Sequence, residues 1–203
     1  MNIGKYKFFY ESNGFVILRN IVSKKIINKI LNEIETIKIK VERIGNKKYF
    51  HKTTDGNFNS IHNVQKYIKK GEIFKLSKNL KLKKIVNNII KKKTKIRNIE
   101  FFLKPAKHGL ASPYHQDNYY WNILNAEALN VWIACSDANK KNGGVCYLKK
   151  SHELGTIKHQ VSYAKGSSQK ISNNLLTSKV FNVSTEYFRR QWTKFDFNKI
   201  VGH

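Results

Sequence analysis

A histidine and an aspartate lie two positions apart in the middle of the chain, at His115 and Asp117. Side chains alternate along a β-strand, so on a strand this spacing puts the imidazole and the carboxylate on the same side of the sheet. One histidine and one carboxylate are two of the three ligands of the 2-His-1-carboxylate triad, which leaves positions open on a non-haem Fe(II) for a co-substrate and O2. The spacing itself is common, so alone it only nominates a metal site.

The pair lies in a part of the chain that is predicted to be β-rich. Short runs of β-branched and aromatic residues alternate with turn residues from residue 97 onward, at 99–103, 128–134 and 144–148. We therefore expect the histidine and the aspartate to lie on a strand of the same sheet system.

The preceding part of the chain is predicted to be helical. Ser23 is a favourable N-cap, and the apolar residues that follow it recur at helical spacing as far as Ile37. A second stretch, 66–95, has apolar positions that fit one or two helices with a solvated lysine face.

Length and the order of these elements indicate one domain. At 203 residues, the chain can bury one sizeable core and is too short for two ordinary domains. Helices followed by strands are typical of an α+β fold, so we predict a single domain over residues 1–203 with a helical buttress at about 1–96 and a β-core at about 97–203.

A series of motifs surrounds the His115–Asp117 pair. They are Phe102-Leu-Lys-Pro105, His115-Gln-Asp117, Tyr119-Tyr-Trp121, Leu129-Asn-Val-Trp132-Ile-Ala134, Asn142-Gly-Gly144, Lys150-Ser-His-Glu-Leu-Gly155 and His159. In this order they resemble the phytanoyl-CoA dioxygenase family of Fe(II)/2-oxoglutarate-dependent oxygenases. The segment Gly14-Phe-Val-Ile-Leu18 is similar to that family's opening strand, and the resemblance covers about residues 8–165.

The resemblance implies a fold and an activity. The β-core would be a double-stranded β-helix, the jelly-roll or cupin-like architecture, supported by the N-terminal helices. The enzyme would hydroxylate a small molecule and decarboxylate 2-oxoglutarate to succinate. It would require Fe(2+), 2-oxoglutarate and O2, and the identity of its substrate does not follow from the fold.

The resemblance also implies roles for individual residues. His115 and Asp117 would ligate iron. The implied contacts to 2-oxoglutarate are Lys104, on the strand before the ligand pair, Gln116 and Trp132. The implied walls of the substrate cavity are Tyr119, Tyr120 and Trp121. Trp132 fits a core tryptophan on a strand equally well.

The C-terminal part carries a candidate for the arginine that the family pairs with the carboxylate of 2-oxoglutarate. Residues 182–193 resemble the asparagine–serine–arginine stretch that follows the distal histidine of the family. A planar guanidinium binds a carboxylate through two hydrogen bonds. We assign this role to Arg189, with Arg190 as the alternative, because the stretch is one residue too long to fix their order.

The distal histidine of the family has no counterpart, since no histidine occurs between His159 and His203. Residues 175–181 are too few for the turn, strand and histidine that the family has there, so we predict that one or two late strands are missing. The third iron ligand is thus not identified; His203 or His159 can be considered, although His159 is expected in the loop after the fourth strand. A degenerate, inactive relative of the same fold is the alternative function.

The formal net charge of +26 does not require a nucleic-acid partner. The basic residues are 34 lysines and only 5 arginines, and asparagine and isoleucine are also abundant, at 23 each. These three abundant residue types share AT-rich codons, and arginine is the better residue for bidentate phosphate and base contacts. We therefore keep a basic nucleic-acid-associated protein as the lesser alternative and expect a small-molecule substrate, with a preference for anions.

Composition also bears on location. No apolar stretch approaches the ~18 residues that a membrane span needs, and the first residues lack the pattern of a signal peptide. The two cysteines, Cys135 and Cys146, form no metal-binding or disulfide pattern. We therefore predict a cytoplasmic protein.

Overall fold

The computed structural model describes residues 3–110, 112–121, 128–139, 142–161, 169–171 and 199–202. The chain divides into two compact units: unit 1 comprises 1–19 and 111–203, and unit 2 comprises 20–110. The division near residue 96 that the sequence predicts lies inside unit 2. The assignment of 1–203 to one domain stays a prediction.

Unit 2 contains three α-helices, a 3₁₀ turn at Val64–Lys66 and one sheet. The helices are α2 (Lys24–Ile44), α3 (Glu72–Ser77) and α4 (Leu80–Ile90), and the strands are β2 (Phe50–Lys52), β3 (Phe58–Ile61) and β4 (Phe101–Phe102). The strands form an antiparallel sheet in the order β2-β3-β4. The helix predicted after Ser23 is confirmed, and the one or two helices predicted within 66–95 are found as two, α3 and α4.

The sequence of α2 explains where this helix begins, what it buries and where it ends. The Ser23 hydroxyl oxygen accepts a hydrogen bond from the Ile26 amide, which satisfies one donor of the first turn. Residues on one face, at the spacing of successive turns, are buried: Ile30, Ile34, Ile37 and Val41. Gly45 ends the helix with a φ of 66°, a conformation that costs a residue without a Cβ little.

Helix α3 is capped by a side chain from α2. The carboxylate of Glu33 accepts hydrogen bonds from the backbone amides of Glu72 and Ile73, the latter at 3.1 Å. These amides have no partner within their own helix, and a carboxylate at a helix N-terminus also interacts favourably with the helix dipole. Gly71 allows this contact, because a Cβ at this position would overlap the Glu33 carboxylate.

The described residues of unit 1 form the helices α1 (Ile3–Asn13) and α5 (Asp117–Trp121) and five short strands. The strands are β1 (Phe15–Ile17), β5 (Leu129–Trp132), β6 (His159–Val161), β7 (Gln169–Ile171) and β8 (Lys199–Gly202). They form an antiparallel sheet in the order β1-β8-β5 and a separate antiparallel pair, β6-β7. The predicted opening strand is confirmed at Phe15–Ile17. The described architecture is thus mixed α and β with small antiparallel sheets.

The turn between α1 and β1 is held against a 3₁₀ turn at Ser151–Leu154. The His152 Nε2–H donates to the Glu11 carbonyl at 2.9 Å, and the Lys150 amide donates to the Asn13 carbonyl at 3.0 Å. Gly14 has a φ of 78° and lies so close to His152 that an added Cβ would be 2.5 Å from the His152 Nδ1. A glycine is therefore required at this approach.

Two strand predictions are wrong, and a third is confirmed only in part. His115 and Gln116 lie in an irregular segment, and Asp117 begins α5, so the pair is not on a strand. Residues 144–148 form no strand, and the run at 99–103 contributes only Phe101–Phe102. Lys104 consequently lies beyond β4, with a left-handed φ of 37°, and not on the strand. Residue composition predicted these strands, but a strand also needs a partner in register, which composition does not specify.

None of the helices in the described part of the chain combines the length and the hydropathy that crossing a membrane would require.

Candidate metal centre

The structure brings His115 and Asp117 together although they are not on a strand. The His115 Nε2 lies 3.2 Å from the Asp117 Oδ1, and both side chains are about 30% exposed, at 30% and 29%. Asp117 begins α5, where a carboxylate interacts favourably with the helix dipole, and the Tyr119 amide donates to the Gln116 carbonyl at 3.1 Å in the turn that starts the helix. The tight turn at the start of the helix, and not the alternation of a strand, thus brings the two side chains together.

The His115 ring presents a particular nitrogen to the aspartate. Its Nδ1 lies 2.8 Å from the Pro113 carbonyl oxygen, which can only accept, so Nδ1 carries the proton. The other ring nitrogen, Nε2, consequently faces the Asp117 carboxylate. This arrangement is favourable when a cation lies between them or when a second proton makes the ring cationic.

The donor pair fits a metal ion in two respects. Metal-binding histidines characteristically donate their other N–H to a carbonyl or carboxylate, as His115 does. Two ligands at ~2.1 Å from one octahedral cation, in neighbouring positions, lie ~3.0 Å apart. The observed separation of 3.2 Å is close to that value.

Asn130 orients the aspartate from β5. Its Nδ2 donates a hydrogen bond to the Asp117 Oδ2, the oxygen that does not face His115. The carboxylate is therefore held with Oδ1 toward the imidazole. Sequence reasoning missed this residue, although an amide inside the apolar run Leu129–Trp132 was the available signal.

Gln116, between the two candidate ligands, is bound to the segment 155–159. Its Nε2 donates to the Gly155 carbonyl at 2.7 Å, and its Oε1 accepts from the Ile157 amide at 2.8 Å. Its backbone amide donates to the His159 Nε2 at 2.9 Å. The side chain is buried, and both ends of its amide are used within the protein. Its predicted contact with 2-oxoglutarate stays a prediction.

His159 uses both ring nitrogens in the protein. The Nδ1–H donates to the Ile157 carbonyl at 2.8 Å, and Nε2 accepts from Gln116. Burial, chiefly, and the nearby His115 hold the pKa of His159 below its ordinary value, although the hydrogen bond to Ile157 opposes this shift. The ring is therefore neutral at pH 7 and has no lone pair left with which to bind a metal in this arrangement.

Two tyrosines of α5 pack on the two histidines. The Tyr119 ring stacks on the His159 ring with a centroid distance of 4.2 Å, and the Tyr120 ring meets the His115 ring edge-on at 5.7 Å. Trp121 ends the same helix. The role of these three residues as walls of a substrate cavity stays a prediction.

Comparison with known protein families decides which family the chain belongs to. The model of the family phytanoyl-CoA dioxygenase (PhyH) matches residues 10–186. The chain belongs to the phytanoyl-CoA dioxygenase family. This family consists typically of oxygenases that depend on Fe(II) and 2-oxoglutarate. No curated protein matches the chain.

The other residues implicated in this phytanoyl-CoA dioxygenase relative are distributed over the chain. Trp132 is the last residue of β5, two positions after Asn130, and Lys104 belongs to unit 2. Arg189, Arg190 and His203 lie outside the described residues. Within the described residues, no group of three or more His, Cys, Asp or Glu side chains is arranged to hold a metal ion.

Replacing Asn130 with alanine is expected to weaken metal binding to this phytanoyl-CoA dioxygenase relative by ~10–100-fold, the usual effect of losing a partner that orients a ligand. The carboxylate of Asp117 would then rotate, and Oδ1 would no longer be held toward His115. The measurement is the dissociation constant for Mn(II), a spectroscopically convenient substitute for Fe(II). Asn139→Ala, in an exposed turn of the same unit, is the control; equal binding by the Asn130 variant and the native protein would contradict the role.

Proposed function

We propose that the protein is an Fe(II)- and 2-oxoglutarate-dependent dioxygenase that hydroxylates a small molecule and converts 2-oxoglutarate to succinate. The observation that carries the proposal is the approach of the His115 Nε2 to the Asp117 Oδ1 at 3.2 Å, with Nδ1 bound to a backbone carbonyl. Family membership supports the same reaction class.

Each residue of the centre has a task that follows from its contacts. His115 would bind the metal through Nε2 and Asp117 through Oδ1, while Asn130 holds the second carboxylate oxygen. When bound, Fe(II) and 2-oxoglutarate supply the coupling of co-substrate decarboxylation to transfer of one oxygen atom of O2 into a C–H bond. The protein's part is to place the ligands and to keep their protonation fixed.

The remaining assignments belong to the same proposal. The carboxylates of 2-oxoglutarate are assigned to cationic and polar side chains, and the substrate cavity to the aromatic residues of α5. The co-substrate residues are Lys104, Gln116, Trp132, Arg189 and Arg190, and the cavity residues are Tyr119, Tyr120 and Trp121. The net charge of +26 favours an anionic substrate by electrostatic steering. We propose the cytoplasm as the location and no nucleic-acid partner.

We propose that the β-core is the double-stranded β-helix of the family, shortened by one or two late strands, within a single domain. The antiparallel pairing of the described strands is compatible with this architecture. The family match is continuous over residues that belong to both units, which supports one domain.

A degenerate relative without turnover is the second candidate. It is favoured by the state of His159, whose two nitrogens are both bound within the protein, and by the gap without histidines between His159 and His203. Two protein ligands hold a metal less firmly than three.

Anaerobic titration of the protein with Fe(II) and 2-oxoglutarate separates the two candidates. An intact centre is expected to give a weak visible charge-transfer band and, after admission of O2, stoichiometric succinate. A band without succinate would indicate binding without turnover. Absence of both would favour the degenerate relative.

A further inference from the structure

We propose that His159 is a positioning residue that sets the separation of the two metal ligands by holding the peptide between them. This proposal rests on the proposed function, because the group that it positions is the metal centre. His159 itself touches neither the metal nor the co-substrate in this role.

The contacts concentrate on the short segment that carries the ligands. Residues 116–118 are joined to residues 155–159 by four hydrogen bonds: Gln116 amide to His159, Gln116 Nε2 to Gly155, Ile157 amide to Gln116 Oε1, and Asn118 Nδ2 to Thr156 Oγ1 at 2.9 Å. Three of these four bonds involve Gln116, whose neighbours on either side are His115 and Asp117. The peptide between the candidate ligands is thus tied directly to the segment 155–159.

A neutral imidazole is suited to this position by its chemistry. It is flat, so it can stack on Tyr119 at 4.2 Å, and it offers one donor and one acceptor on opposite sides of the ring. The donor is fixed to Ile157, which leaves Nε2 as the acceptor for the Gln116 amide. The ring is only 5% exposed, so water cannot readily replace it as a partner of that amide.

The strand that carries His159 is itself anchored. His159 begins β6, where it pairs with residue 171 of β7 across the antiparallel pair. The position of the ring therefore depends on a regular backbone ladder and not only on the loop that precedes it. A fixed ring on a paired strand can hold the Gln116 amide, and with it the ligands on both sides, before any metal arrives.

The test compares variants by Mn(II) affinity and by the state of His115 in the metal-free protein. His159→Phe keeps an aromatic ring but removes the acceptor, and is expected to weaken Mn(II) binding by ~10–100-fold. His159→Gln, whose side-chain carbonyl can accept from the Gln116 amide, is expected to recover most of that loss. In metal-free protein, the ring ¹⁵N shifts of His115 should change in His159→Phe, since the ring would leave its hydrogen bond with Pro113.

The control is His152→Phe, which also removes a histidine hydrogen bond to the backbone within unit 1, here with Glu11. It is expected to lower thermal stability and to leave Mn(II) affinity unchanged. If His159→Phe lost stability to the same extent as this control and bound Mn(II) like the native protein, His159 would be structural only and the proposal would be overturned.

Two further outcomes are distinguishable. If the native protein binds no Mn(II), the proposed function fails. The His159 proposal is then decided by the ¹⁵N shifts of His115 in the metal-free protein. Unchanged shifts in His159→Phe overturn it. If His159→Phe does not fold, Tyr119→Leu takes its place, because it removes the stacked ring and no hydrogen bond of His159. A smaller loss of Mn(II) affinity in Tyr119→Leu supports the proposal, and an unchanged affinity overturns it.

Discussion

Replacing His115 with alanine is expected to abolish the charge-transfer band with Fe(II) and 2-oxoglutarate, and with it any succinate formation. The imidazole is one of the two candidate ligands that the structure brings together, at 3.2 Å from Asp117. Losing a residue that only orients a ligand lowers metal affinity by ~10–100-fold. Losing a ligand itself should have a larger effect, so metal affinity should fall by more than ~100-fold. The measurements are anaerobic titration and succinate assay under one set of conditions.

Asp117→Asn should give the same result, because a neutral amide is a poor ligand for Fe(II) and cannot compensate its charge. The matched control is His108→Ala, which removes an exposed histidine from unit 2. A His115→Ala protein that retained the band would show that the metal binds elsewhere, and the proposed function would have to be abandoned. Loss of the band in His108→Ala would mean that the titration does not report on a specific centre.

Replacing Gly71 with alanine is expected to destabilise the protein by about 4 kcal/mol, the largest effect on stability that we predict. Gly71 has a φ of 110° and a ψ of 178°, a combination that residues with a Cβ adopt only under strain. The new methyl group would also displace the Glu33 carboxylate, which accepts hydrogen bonds from two amides at the start of α3. The measurement is the free energy of unfolding in urea.

Gly56→Ala provides the control, since Gly56 also has a positive φ, at 83°, but an added Cβ would meet nothing within 4 Å. Gly56→Ala should lower the free energy of unfolding only by the local backbone strain, about 1–2 kcal/mol. Glu33→Gln should fall between the two, because it weakens the cap and leaves Gly71 in place. Equal losses in Gly71→Ala and Gly56→Ala would refute the role of the capping carboxylate.

The helices could be predicted because their determinants are local. Ser23 supplies the cap and the buried positions of α2 recur at helical spacing, so a short window of sequence contains everything needed. The strands were harder to predict. Residues 144–148, for example, have a β-rich composition and yet form no strand. Pairing depends on where distant segments meet, and no local pattern records that.

The sequence predicted that His115 and Asp117 converge, but not the backbone conformation that brings them together. The spacing of His115 and Asp117 indicated two convergent ligands, and convergence is found, although a helix start produces it. The contacts of Gln116 and Asn130 were not predictable in this way. Gln116 meets His159 across 43 positions of sequence, and Asn130 meets Asp117 across 13, so their partners are set by tertiary structure.

The position of β8 has a consequence for biosynthesis. This strand lies between β1 and β5, with Phe15 paired to Val201 and Leu129 paired to Gly202. Contacts so distant in sequence form slowly, and a chain is made from its N-terminus at ~5–20 residues per second. Strand β1 therefore cannot pair with β8 until residues 199–202 have left the ribosome. The segment 20–110, which forms the compact unit 2, is synthesised long before that.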